Sequence, residues 1–251
     1  MQLVIWTALG IGGATVAGAI IGFLFPGFSH KTSDGIMSFA AGVMLAAAIT
    51  GLILPAVELD GTGGIWMVAA GIFCGAFFLN LMDKLTPHLH HISGLDSESH
   101  ENGNINKVLL FVLAIAIHNL PEGLAAGVSF GGGSLDNALS VAVGIALQNI
   151  PEGMVIISPM LLAGMSRKRT FVVAASTGLV EVLGTFIGYA ATGISSAILP
   201  FALSFAGGTM LYVVGDEMIP ETHSHGYERL ATYAMLGGFV LMLIMDSYIA
   251  G

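Results

Sequence analysis

Eight stretches of this chain are apolar for long enough to cross a bilayer: about 3–25, 35–57, 65–83, 107–130, 137–163, 170–192, 197–219 and 229–249. Roughly 20 helical residues cover about 30 Å of hydrocarbon. Inside hydrocarbon every backbone N–H and C=O must find its partner within the protein, which leaves helices or a closed β-barrel. A barrel would be written in alternating segments of about ten residues, and the sequence has none. The expected fold is all-α, a polytopic membrane protein of eight transmembrane helices forming one domain over residues 1–251. Composition agrees. Only 9% of residues are charged and 55% are hydrophobic, with a mean hydropathy of +0.87, whereas a soluble domain carries about 25% charged residues. So few charges cannot clothe a water-facing surface, and so apolar a chain does not stay disordered. The formal charge of −9, with seven Lys and Arg, excludes a nucleic-acid binder. The single cysteine, Cys74, excludes an internal disulfide framework and leaves the redox compartment open.

The basic residues give an expected direction. Lys31 follows the first span, and Lys84 and Lys107 bracket the connection after the third. Arg167, Lys168 and Arg169 follow the fifth, and Arg229 follows the seventh. All fall in odd-numbered connections, which are therefore expected to be cytoplasmic, with both termini outside. No basic residue precedes the first span, which is expected to stay in the protein rather than be cleaved as a signal peptide. Trp6 and Trp66 fall near the outer ends of spans 1 and 3, where an aromatic belt is expected, although ordinary lipid-facing residues would look the same. The longest connection, about 84–106, reads KLTPHLHHISGLDSESHENGNIN and carries His88, His90, His91 and His100. It is expected to be a flexible cytoplasmic loop. Histidine tracts can bind metal, and flexible loops also gather histidines without that role.

Three carboxylates sit near span centres, Glu122, Glu152 and Glu181, and of eight histidines His118 alone lies well inside a span. A charged group at the bilayer centre costs about 2.5–3.5 kcal/mol on insertion scales, so these positions point to function. Their depths coincide. His118, Gln148 and Glu181 each lie eleven residues past the expected starts of their spans at 107, 137 and 170. At 1.5 Å per residue that is about 16 Å, half the hydrocarbon thickness. The fourth span carries HNLPEG and the fifth QNIPEG, thirty residues on. His118 and Glu122 are spaced i,i+4, and Asn119 and Glu122 i,i+3, so all three are expected on one helix face. Gln148, Asn149 and Glu152 repeat the arrangement. Pro121 and Pro151 lack a donor and clash with the carbonyl four residues back, freeing those of Ile117 and Leu147. A freed carbonyl at membrane depth suits a wet or ion-lined cavity, and it also suits a packing kink.

Imidazole, carboxylate and amide oxygens together suit Zn²⁺, Fe²⁺, Mn²⁺, Co²⁺ or Cd²⁺, whereas Mg²⁺ and Ca²⁺ prefer all-oxygen shells. One divalent ion among three carboxylates leaves −1 and two leave +1, so a cation balances the charge. An intramembrane metallo-hydrolase would use such a metal to activate water. Its HExxH helix signature is absent, and no serine–histidine pair is apparent, so the chain reads as no enzyme and needs no resident cofactor. A passive channel and a carrier both need ligands at the midplane, and the residues leave that choice open.

The pair HNLPEG and QNIPEG in consecutive spans resembles the ZIP (Zrt-/Irt-like) family of metal-ion transporters. FVLAIAIHNLPEGLAAGVSFG and VGIALQNIPEGM look most like its GufA-type branch. The resemblance implies a carrier of elevator-like or alternating-access type that admits divalent transition metals, zinc foremost, to the cytoplasm. It also implies a homodimer in a prokaryotic plasma (inner) membrane. It implies a metal site between spans 4, 5 and 6, built from His118, Asn119, Glu122, Gln148, Asn149, Glu152 and Glu181, with Glu122 and Glu152 bridging two ions in a binuclear centre. Met44 matches a span 2 position that supplies a thioether in some relatives, while a methionine on an apolar helix otherwise packs. Two departures matter. Asn149 stands where some relatives carry Asp, and a neutral amide weakens the second ion position. In GDEMIPETHSH, Asp216 stands where some relatives carry His. Glu217, Glu221, His223 and His225 in that stretch would face the cytoplasm, either as an exit station or as a solvated acidic loop.

Overall fold

A computed structural model describes residues 1–25, 27–60, 65–85, 101–132, 134–193 and 196–249. Among them every regular element is helical. The chain runs through α1 (Gln2–Leu24), α2 (His30–Ala46), α3 (Leu54–Asp60), α4 (Ile65–Leu85), α5 (Glu101–Ser129), α6 (Leu135–Leu162), α7 (Arg167–Thr192), α8 (Leu199–Tyr212), α9 (Ile219–Thr222) and α10 (Glu228–Ile249). A π-helical stretch, Ala47–Ile53, joins α2 to α3 as one rod, and a second, Val213–Met218, joins α8 to α9. Seven rods among the described residues are long and apolar enough to cross a membrane, and α5, with 29 residues, adds an eighth long helix.

The helices outrun the apolar stretches. Helix α2 starts at His30, where the Ser29 hydroxyl accepts the Thr32 N–H at 3.3 Å as an N-cap. Helix α5 starts at Glu101, inside the segment expected to be loop. Hydropathy marks what lies in lipid, whereas caps mark where a helix ends. His88, His90, His91 and His100 fall outside the described residues.

Both π stretches run up to a proline, Pro55 or Pro220. Proline has no N–H and collides with the carbonyl four residues back, and widening the ladder accommodates it. The Leu54 N–H accordingly bonds the carbonyl of Ile49, and the Ile219 N–H that of Val214. Near Pro55 the carbonyl of Gly51 is recovered by Asn137 Nδ2 of α6 at 3.0 Å.

The rods form two groups of four. In the first, α5 packs on α7, α1 on α6, and α1 on α7. In the second, α2 packs on α10 and α4 on α8. Glycines let backbones touch within each group. A Cβ built on Gly123 would stand 2.2 Å from the carbonyl oxygen of Glu181, and one on Gly42 would stand 1.9 Å from that of Met235. Where the groups meet, glycines face side chains instead: Gly51 faces Val141 and Gly144 faces Met242. The largest core cluster, with Met44, Leu52, Ile145, Leu203 and Met210, fills the space between the groups. Trp66, Phe73, Tyr233 and Tyr248 stay exposed, as lipid-facing residues do.

Candidate metal site

The repeated motifs lie at facing positions of α5 and α6, and both helices continue through their prolines. The glycine that closes each motif explains its placement. Gly123 brings α5 against α7 at Glu181, and Gly153 brings α6 against α1, where its Cβ would stand 2.2 Å from the Thr15 carbonyl oxygen. These contacts set Glu122 and Glu152, one residue earlier, at fixed heights against their neighbours.

Glu181 is the hub and is fully buried. Its Oε1 accepts from Thr15 Oγ1 at 2.6 Å and from Asn119 Nδ2 at 2.8 Å, and its Oε2 accepts from Asn149 Nδ2. Asn149 Nδ2 also reaches the Ile11 carbonyl at 3.2 Å. Across the same interior, Gln148 Nε2 donates to Glu122 Oε1 at 2.8 Å. Glu122 lies within Coulombic reach of Glu152 and Glu181, and Glu152 within reach of His118. The six residues Asn119, Glu122, Gln148, Asn149, Glu152 and Glu181 thus gather between α5, α6 and α7.

His118 turns elsewhere. Its Nε2 meets Glu217 Oε1 at 2.8 Å, across to the π stretch of the seventh rod. Neighbouring helical residues point about 100° apart, so His118 and Asn119 lie at the two edges of one face and reach different partners, Glu217 and Glu181. Among the described residues no three His, Cys, Asp or Glu side chains converge as a preformed ligand cluster.

The gathered groups have a common polarity. Each amide nitrogen is engaged with a carboxylate, which leaves oxygens. Asn119 Oδ1, Glu122 Oε2, Gln148 Oε1, Asn149 Oδ1 and Glu152 Oε1 are all buried without a hydrogen-bond partner. Buried acceptors are ordinarily satisfied, and with the carboxyls ionised a set made only of acceptors cannot be satisfied from within. A cation fits it, and the lone pairs of carboxylate and amide oxygens are its natural ligands.

The outlying candidates fare differently. Met44 is buried in the apolar core, beside the second rod's π stretch. Glu217 is drawn to His118. Asp216 and Glu221 are exposed. His223 is tied down, with Nδ1 2.8 Å from the Ile219 carbonyl and Nε2 3.1 Å from Thr232 Oγ1. Sequence reasoning also missed Thr15, whose place in a run of small residues gives no sign of its bond to Glu181. At the end of the bundle opposite Lys31 and Arg229, a cavity is lined by Thr50, Glu58, Ser134, Asn137 and Asp246.

The family described as ZIP Zinc transporter matches residues 96–246, which include both motifs. Zinc transporter GufA of Myxococcus xanthus is 44% identical over 172 residues, covering 68% of this chain and 67% of that one. Zinc transporter ZIPB of Bordetella bronchiseptica is 38% identical over 243 residues, covering 93% and 77%. Zinc transporter ZupT of Chlorobaculum parvum is 36% identical over 246 residues, covering 92% and 91%. Likeness of this extent, running through the motif pair and along nearly the whole bundle, shows that the chain belongs to the ZIP family of transporters.

Proposed function

We propose that the protein carries divalent transition-metal ions, zinc foremost and Fe²⁺, Mn²⁺, Co²⁺ or Cd²⁺ as further substrates, into the cytoplasm. The observation that carries this reading is the set of buried, partnerless oxygens on Asn119, Glu122, Gln148, Asn149 and Glu152. An ion leaving water needs its hydration shell replaced, and these groups replace it with oxygens held in position by Glu181, Thr15 and the glycine contacts. Relatives named as zinc transporters support zinc as the substrate.

The path runs from the cavity with Glu58 and Asp246, past the midplane oxygens, toward the end that carries Lys31 and Arg229. Positive residues favour the cytoplasmic side. His118 completes the ligand set when it releases Glu217 and turns to the ion, and Glu217 is the next acceptor on the way out. Asn149 uses its amide nitrogen on Glu181, so the site holds one ion tightly and a second more weakly. The assembly proposed is a homodimer in a prokaryotic plasma membrane, on the family resemblance.

The test is metal uptake into sealed proteoliposomes by Glu122→Ala, Glu152→Ala and a variant with His88, His90, His91 and His100 all changed to Ala, at matched protein content. Each carboxylate variant is expected to lose nearly all uptake, because a charged ligand disappears from the groups that must replace the ion's hydration shell at mid-bilayer. The loop variant is expected to keep transport, with a change of a few-fold in apparent affinity. Normal uptake by the carboxylate variants, with a dead loop variant, would place the site elsewhere.

A further inference from the structure

At the basic end of the bundle three side chains that the midplane reading leaves unused come together. Asp34 lies one turn beyond His30 on α2, on the same helix face. His225 comes from the connection between α9 and α10. Gly226 next to it adopts φ +85°, a left-handed conformation that glycine takes at little cost, and the turn directs His225 back across α2. Its Nδ1 lies 3.1 Å from Asp34 Oδ1, and its ring stacks on that of His30 with centroids 4.3 Å apart.

This arrangement is more than a surface pair. The Asp34 side chain is 5% exposed, and its second oxygen, Oδ2, is buried without a hydrogen-bond partner. A buried carboxylate oxygen lacking a donor is costly, and a divalent ion held on the neighbouring imidazoles would offset part of that cost through its charge. The carboxylate–imidazole contact also has a chemical consequence. A carboxylate on Nδ1 favours the tautomer that leaves the lone pair on Nε2, 3.4 Å from the Ser224 hydroxyl, and strengthens it as a donor to a metal. As they stand the three side chains are not a ready ligand cluster; His30 is exposed, and its ring must rotate out of the stack to present a nitrogen to the same ion. Two imidazoles backed by one carboxylate suit a borderline divalent ion such as Zn²⁺ or Co²⁺, not Mg²⁺ or Ca²⁺.

We propose that His30, Asp34 and His225 form a peripheral binding site for a divalent transition-metal ion, in which the ion ties the start of α2 to the connection before α10. Asp34 orients His225 and supplies charge, and the two imidazoles are the ligands. The proposal does not depend on the midplane site. Its test therefore uses full-length protein in nanodiscs with Glu122→Ala and Glu152→Ala and the four loop histidines changed to Ala, so that neither other candidate location contributes.

Co²⁺ and Zn²⁺ are titrated by calorimetry, and the Co²⁺ visible spectrum is recorded. One equivalent is expected to bind, with a ligand-field band of nitrogen ligation. Adding His30→Ala and His225→Ala is expected to abolish the equivalent and the band. Asp34→Asn, which keeps the shape, is expected to weaken binding at least tenfold while the thermal midpoint without metal stays within a few degrees. Titration with Mg²⁺ is expected to give no heat. Binding unchanged in the double histidine variant, or absence of any bound equivalent in the background protein when it is monodisperse, would overturn the site.

Discussion

Glu181 takes hydrogen bonds from three different helices, through Thr15 of α1, Asn119 of α5 and Asn149 of α6. A carboxylate has about four acceptor positions, so it retains little capacity for an ion and serves mainly to orient the amides around it. Asn149 is the informative member, because the nitrogen that faces Glu181 is what a carboxylate at this position would lack. Asn149→Asp would set two carboxylates face to face, with a strong Coulombic preference for a divalent ion between them. The variant is expected to hold a second ion more tightly and to melt at a lower temperature than the unaltered protein when metal is removed. Calorimetric titration and thermal unfolding with and without Zn²⁺ read both effects. Two equally tight ions in the unaltered protein would contradict the argument. Asn149 was legible in the sequence because amides and carboxylates at mid-membrane are expensive. Thr15 was not, since a hydroxyl at that depth costs little and carries no pattern, and its partner lies 166 residues away.

Elements owe their positions to glycine more than to side-chain interlock. Gly123 and Gly153 bring their helices so near to α7 and α1 that an added methyl group would meet a carbonyl oxygen, which cannot rotate away. Overpacking of this kind costs about 1–3 kcal/mol where side chains can yield, and here backbones must separate. Gly123→Ala and Gly153→Ala are each expected to lower the thermal midpoint clearly and to depress uptake. Gly10→Ala, in α1 with nothing within 4 Å, is expected to leave both unchanged or slightly improved, since alanine is the better helix former. Equal effects at all three positions would show that glycine acts through helix propensity alone. The helices themselves were readable from apolar length, apart from their polar first turns. The π stretches were not, because one extra residue per turn over six or seven residues leaves the hydropathy of a buried rod unchanged. With them went the approach of Glu217 to His118, which depends on how the widened turn rotates the side chains that follow.

For the whole molecule, direction in the membrane is the property on which the proposed path depends. Lys168 is exposed at one end and Asp136 at the other. In a Cys74→Ser background, Asp136→Cys is expected to react with an impermeant thiol reagent on intact cells, and Lys168→Cys only after the membrane is opened. The reverse pattern would turn import into export. The division into two groups of four helices was not legible, since the repeat in α5 and α6 does not show which helices each will pack against.

That division bears on speed rather than on affinity. Within each group backbones touch through glycine, and between the groups the same residue type meets only the side chains of Val141 and Met242 at the positions described. Surfaces of the first kind are locked in register, and surfaces of the second kind can slip past one another. Polar ties that span the boundary, His118 to Glu217, Asn137 to the Gly51 carbonyl and Ser140 to Asp246 at 2.5 Å, would have to break before the groups slip. The midplane oxygens on α5 and α6, with Glu181 of α7 that orients them, lie on one side of that boundary and would travel together, so an ion could cross without its cradle being taken apart. Ser140 touches none of them, yet it would set part of the barrier. Ser140→Ala is therefore expected to raise the turnover number about two- to fivefold with the equilibrium affinity for metal unchanged, and stopped-flow uptake alongside binding isotherms would separate the two.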